Sequence, residues 1–363
     1  MQAPLVSIVV PVYNLEFYIE RCLDSLANQT LKDIEVIVVN DGGSDDSQLI
    51  IDEYVEQFPH IFRAFVKPNG GHGSACNFGI EQAQGQYVTI VDGDDFLDPD
   101  TAEFMYHKAV ETGADLLIGN LLYQYTDRSA PFKPLPFDGE RRLSSSEREL
   151  LYRNWATPCA RLYRRSMFED PKLRLCEGII FADANFAPKT YLVARNIYYV
   201  DKELYNYDLT RPTQSMKQTD KRILDIVTSL TDMLEFYREK GAFEQYRAQL
   251  QAYTVMHAVA WIAKVGTLHG YDKLTALRKI FAVPEKYFGR AWVKDDIIEE
   301  VFGRRRARRM PFDRILNYRS VLLLWQLRGV LQRIDRFIER VLLFPLSAYR
   351  RLKGKVWRLA HQL

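Results

Sequence analysis

The sequence predicts an α/β protein: a doubly wound, parallel sheet within residues 1–215, a small helical domain over 216–302 and a basic amphipathic helical tail over 303–363. Three observations predict it. Short Val/Ile/Leu runs alternate with amphipathic helical stretches through the first hundred residues, the pattern of repeated βα units. From Lys221 to Phe302 the apolar spacing becomes helical throughout. From Gly303 onward there are 16 Lys/Arg against 3 Asp/Glu, whereas the preceding 302 residues carry 33 basic and 44 acidic groups.

Residues 5–10 read as a first strand, followed by a turn at Pro11, Val12, Tyr13 and Asn14. Residues 17–26 form a helix with Ile19, Cys22, Leu23 and Leu26 on one face. A second strand at 34–39 ends in Asn40-Asp41-Gly42-Gly43, and a helix follows at 48–58. A third strand at 62–66 leads into the glycine-rich loop 67–74 and a helix at 75–84. Parallel βα units place all these turns at the carboxyl edge of the sheet, where open α/β sheets bind ligands.

The fourth strand, Tyr87-Val88-Thr89-Ile90-Val91, ends in Asp92-Gly93-Asp94-Asp95. Near-continuous β-branched residues suit a strand covered on both faces. Asp92 and Asp94 are two apart, so in an extended segment they point to one side. One or two such carboxylates, completed by substrate phosphates, are the usual Mg²⁺ arrangement. The same run also reads as an acidic turn before a helix, and both readings stand at this point. Asp98 and Asp100, near Pro99 and Thr101, fit helix-start chemistry.

The 363 residues suffice for two domains. Four cysteines (22, 76, 159 and 176) have neither metal spacing nor disulfide density and fit a reducing compartment. Strand pattern begins at Leu5, so no secretory leader is expected, and no window has the ~18 uncharged apolar residues of a spanning helix. The first βα turn lacks G-x-G-x-x-G, against a dinucleotide oxidoreductase, and the glycine loop lacks the Walker Lys-Ser/Thr.

Val6 to Asn14, then Asn40-Asp41-Gly42 with Asp45, then the glycine loop with Asn77 and Gly79, then Asp92-Gly93-Asp94-Asp95, resemble the family 2 glycosyltransferases of the GT-A fold over residues 5–215. The resemblance implies a nucleoside-diphosphate-sugar donor, usually UDP-linked, a Mn²⁺ or Mg²⁺ cofactor and transfer with inversion. It assigns Pro11, Tyr13 and Asp41 to the nucleobase and ribose, Asp92 to the donor and Asp94 to the metal of this DxD motif. The segment from Trp155 to Tyr163 is similar to the family's acceptor side. The segment 177–186 is similar to the one carrying the catalytic base, which makes Asp183 the base. As an alternative, Asp183 caps the following helix. Tyr205-Asn206-Tyr207, Arg211 and Ser215 are similar to the next family segment, and Arg211 reads either as diphosphate-binding or as solvated.

Four departures from the family pattern stand out. Gly43 takes the place of a frequent Ser, Cys76 of a frequent Arg, Arg161 of a common Lys, and Ala182 of the Glu before the base. If the arginine usual at 76 helps hold the donor, another group must replace it here, and His72 and Lys67 are the candidates. Ala182 and Cys76 also leave room for a catalytically silent binding or assembly protein on the same fold.

In the tail, Leu324, Leu327, Leu331, Ile334, Ile338 and Val341 repeat at helical spacing, with Arg333, Arg336 and Arg340 roughly opposite. A basic amphipathic helix with Trp suits an anionic bilayer surface. The expectation is a cytoplasmic enzyme, peripheral on the inner face of the membrane through 304–363. Its expected acceptor is a glycan or lipid-linked saccharide of the cell envelope. The same spacing suits a homo-oligomeric coil through 320–345, and no recognition module points to nucleic acid.

Overall fold

The computed structural model describes residues 3–154, 157–211, 220–266, 268 and 271–289. The tail, with the membrane and oligomer readings placed on it, lies outside the described residues, as does Ser215.

The first half follows the βα pattern: β1 (Val6–Val12), α1 (Ile19–Ala27), β2 (Ile34–Asn40), α2 (Ser47–Gln57), β3 (Phe62–Val66), α3 (His72–Gln82), β4 (Tyr87–Ile90) and α4 (Thr101–Thr112). Every residue of β1, β2 and β4 is buried, as expected of strands covered on both faces. β1 pairs in parallel with β2 and β4, and β2 with β3, so the ends of all four strands share one edge. The β1–β4 register stops at Val9 and Ile90. Pro11 therefore lies where β1 has only β2 beside it, a position that tolerates a missing N–H.

Beyond β4 the sheet becomes mixed. Next come β5 (Leu116–Gln124), β6 (Ser129–Phe132), β7 (Arg141–Arg142), α5 (Ser145–Arg148), β8 (Arg161–Arg164), α6 (Asp183–Val193) and β9 (Ile197–Asp208). Among the described residues the nine strands run β3-β2-β1-β4-β8-β5-β9-β7, with β6 on β5. β8 enters between β4 and β5 antiparallel to both, and only β9 pairs with β5 in parallel. The polar, proline-bearing segment 127–146 holds β6 and β7 and leads into α5, which starts from a Ser144–Glu147 capping box. Its prolines and charges belong to short, partly exposed edge strands.

The described residues fall into two compact units. The first contains the sheet and α7 (Asp225–Glu239), which packs on α6. The second contains 220–224 and the residues from 251 on, with most of α8 (Arg247–Gly266) and α9 (Lys273–Phe288). Within the second, Trp261 Nε1 donates to Ile223 O at 2.8 Å. The His257 ring lies 4.3 Å from that of Tyr253, tilted by 44°, and burial lowers its pKa to about 4, so it is a neutral core residue. Among the described residues no helix is long and apolar enough to cross a membrane.

Candidate active site

The turns after β1, β2, β3 and β4 meet at the carboxyl edge of the sheet. Asp41, the first residue past β2, is 2% exposed. Its carboxylate accepts from Lys67 Nζ at 2.7 Å and from the backbone N–H groups of Gly70 and Gly71 at 3.0 and 2.7 Å. The glycine loop is thus wrapped around this one carboxylate. Gly71 has φ +86°, a conformation that favours glycine. A Cβ on Gly73 would stand 2.1 Å from Cys176 O, so this loop closes on the later segment only with glycine there. Tyr13, half-exposed, projects from the end of β1, and Asn14 Oδ1 accepts the N–H of Ser44 at 2.9 Å.

The three aspartates after β4 have three different surroundings. Asp92 Oδ1 lies 2.8 Å from His72 Nε2, and the Cys159 thiol is 3.7 Å from Oδ2. Burial opposes its charge, but His72 prevails and holds its carboxyl below the ordinary range. Burial likewise disfavours the His72 cation, yet Cys76 and Asp92 outweigh it and raise its pKa well above the usual value. The Cys76 thiol is 3.7 Å from His72 Nε2, so the imidazole does stand beside the position where the family carries arginine. Asp94 Oδ2 accepts from Arg211 at 2.8 Å. Burial and the charge of Asp92 raise its pKa despite that arginine. Asp95 is a scaffold residue: it is buried, and it accepts from the Tyr205 hydroxyl and the Asp208 N–H, each at 2.7 Å.

Two carboxylates two positions apart, one with its pKa raised by the other, suit a cation that relieves their repulsion. Among the described residues no group of three or more His, Cys, Asp or Glu gathers around a common point to hold a metal. A hard divalent cation needs only one or two protein carboxylates when phosphates and water fill its other positions.

Asp183 opens α6. The N-cap position is Ala182, with no side-chain cap bond, and Asp183 is the first residue of the helix. Burial raises its pKa to about 6, against the lowering effects of the His72 charge and the Ala184 N–H, while Asp92 adds to the rise. The segment before it is held from two sides. Ser74 and Asn77 of α3 donate to Glu177 at 2.9 and 3.0 Å, and Gly178 N–H donates to Gly70 O at 2.7 Å. From α7, Ser229 Oγ donates to Phe181 O at 2.8 Å, and Asp225 accepts the Ile180 N–H at 3.1 Å. Phe181 itself has φ +65°, a strained backbone that such bonds over-determine.

Arg161 is buried and donates to Thr157 O, to Cys159 O at 3.3 Å and to the Tyr191 hydroxyl at 3.0 Å. It thereby fixes the segment that brings Cys159 to Asp92. Sequence reasoning missed Lys67 and Tyr205 as partners of the aspartates and named no residue of α7 as part of the site. A separate cavity of about 340 Å³, lined by Arg174, Cys176, Lys189, Asp232 and Phe236 among others, borders none of the strand-tip aspartates.

A family model described as Glycosyl transferase family 2 matches residues 7–170. EpsH of Bacillus subtilis (strain 168), named as a glycosyltransferase, is 32% identical over 268 residues, or 71% of this chain and 76% of EpsH. Hyaluronan synthase of Pasteurella multocida is 44% identical over 102 residues, 28% of this chain and 10% of that one. The fold is similar to that of S. aureus TarS 1–349, solved in complex with UDP-GlcNAc, with a TM-score of 0.55 at 21% identity over 84% of this chain and 91% of that one. The sheet is thus of the GT-A type, and the chain belongs to glycosyl transferase family 2: it is a glycosyltransferase.

Proposed function

We propose that the enzyme is inverting and divalent-cation-dependent, and that it moves a sugar from a UDP-sugar to a hydroxyl of a glycan or lipid-linked cell-envelope acceptor. The observation that carries this reading is geometric: Gly178 N–H, in the segment leading to Asp183, donates to Gly70 O at 2.7 Å, and His72, two residues after Gly70, lies 2.8 Å from Asp92. The segment of the candidate base and the acidic turn therefore meet at one loop. The complex of the similarly folded TarS with UDP-GlcNAc supports a UDP-linked donor.

In this reading Pro11, Tyr13 and Asp41 hold the uridine, with Lys67 and the glycine loop keeping the Asp41 carboxylate in place. Asp92 contacts the donor. Asp94 is the residue that would hold Mn²⁺ or Mg²⁺, whose chemistry is to take up charge developing on the departing diphosphate. Asp183 removes the proton of the acceptor hydroxyl as that oxygen attacks the anomeric carbon from the face opposite the leaving UDP. Such help is worth ~10²–10⁴-fold, and holding both substrates in near-attack geometry adds to it. The basic tail supports attachment to the inner membrane face, and its 3-4 spacing supports the competing coil through 320–345.

The test is UDP release by the full chain from a panel of UDP-sugars with Mn²⁺. Release from at least one sugar, abolished by a chelator, is expected. No release from any sugar, together with no calorimetric binding of UDP, would overturn the UDP-sugar reading.

A further inference from the structure

Arg211 has as its partner the carboxylate that the proposed chemistry reserves for a cation. Its guanidinium lies 2.8 Å from Asp94 Oδ2, and the two side chains are 18% and 15% exposed. The contact is built into the fold. Arg211 stands three residues past the end of β9, and that end is fastened to the acidic turn. Tyr205 and Asp208 both bond Asp95, and Phe96 and Asn206 exchange backbone hydrogen bonds at 3.3 and 3.0 Å. From α1, Arg21 donates to Asp94 O at 2.8 Å and to the Asp208 carboxylate at 2.5 Å. Two arginines brace one turn, but differently. Arg21 holds the Asp94 backbone, whereas Arg211 holds its carboxylate.

We propose that Arg211 is a positioning residue that exchanges partners: it holds the Asp94 carboxylate, yields it to a divalent cation and turns to the diphosphate of the donor. This rests on the reading of Asp94 as the cation-binding residue. A guanidinium and a divalent cation on one carboxylate repel each other, and at a largely buried site that repulsion is weakly screened. The displaced guanidinium finds an equivalent partner in the diphosphate, whose oxygens match its paired N–H groups. Arg211 therefore makes cation and nucleotide binding cooperative: each is harder without the other.

Mn²⁺ is titrated calorimetrically into the full-length protein, with and without UDP, for the wild type, Arg211→Gln, Arg211→Lys and Asp94→Asn. Arg211→Gln is expected to bind Mn²⁺ alone about fivefold or more tightly than the wild type, and to show a smaller gain from UDP. Arg211→Lys, which restores the charge, is expected to fall back toward the wild type. A purely structural arginine would not tighten cation binding when removed. If Asp94→Asn binds Mn²⁺ with UDP as the wild type does, the reading of Asp94 fails and the exchange fails with it. If Asp94→Asn loses the cation but Arg211→Gln binds Mn²⁺ alone no more tightly than the wild type, the exchange alone is overturned. Should Arg211→Gln melt early, Arg211→Met is titrated in its place with the same two outcomes.

Discussion

The acidic turn at 92–95 and the segment leading to Asp183 are held in opposite ways. The turn continues a fully buried central strand, and its scaffold aspartate, Asp95, is gripped by the end of β9. The Asp183 segment belongs to no strand. Side chains of α3 and α7 reach it from either side, and one residue of it, Phe181, is kept at φ +65°. A site hung from a buried sheet resists change at single positions. A site held by a few long-range side-chain bonds can be loosened or re-aimed one bond at a time. In the proposed function that division would let the donor half stay fixed while the acceptor half is tuned.

The comparison can be broken most severely at Asp94. Asp94→Ala is expected to lower cation-dependent turnover by ~10²–10³-fold, the scale of losing one fixed electrostatic contact to a developing charge. Excess Mn²⁺ should not restore it in a UDP-release assay. Asp41→Ala strikes the donor half elsewhere and strips Lys67 of its carboxylate. Its expected signature is a rise in donor KM of about tenfold, equivalent to ~1.4 kcal/mol, with kcat little changed in steady-state kinetics.

Acidity sharpens the comparison on the other half. Burial raises Asp183 to about 6, and a base must be ionised, so kcat/KM should fall as pH drops through about 6 and level off above it. An acid limb well below that value would remove Asp183 from the role. Smallest of all, Ser229→Ala deletes the hydroxyl that holds Phe181 O. It should cost ~1 kcal/mol in denaturant melts and lower kcat while leaving donor KM alone. A change in donor KM instead would show that the two halves are not independently supported.

The placement of the acidic turn and its neighbours was largely legible in the sequence because its cues are local. A β-branched run ending in Asp-Gly-Asp gives strand, turn and side-chain direction together. Repeated βα units carry Pro11, Tyr13, Asp41 and the glycine loop to the same edge. What lay beyond local cues was lost. β8 reaches β4 and β5 from a distant part of the chain, and no periodicity announces an antiparallel insertion. β6 and β7 sit in a polar, proline-bearing stretch that reads as loop. The amphipathic spacing of α7 was visible, but not that Asp225 and Ser229 bond the backbone ahead of Asp183. Arg211 lies in a polar stretch where a solvated arginine was an equal reading, and only the folded chain brings it to Asp94.

The division of labour between the two carboxylate sites is tested most directly by Asp183→Asn, measured for UDP binding with Mn²⁺ by calorimetry and for UDP release from a UDP-sugar in the same preparation. Binding equal to the wild type, with release slowed by ~10²-fold or more, is the predicted result. Release at the wild-type rate, or binding lost along with turnover, would contradict it.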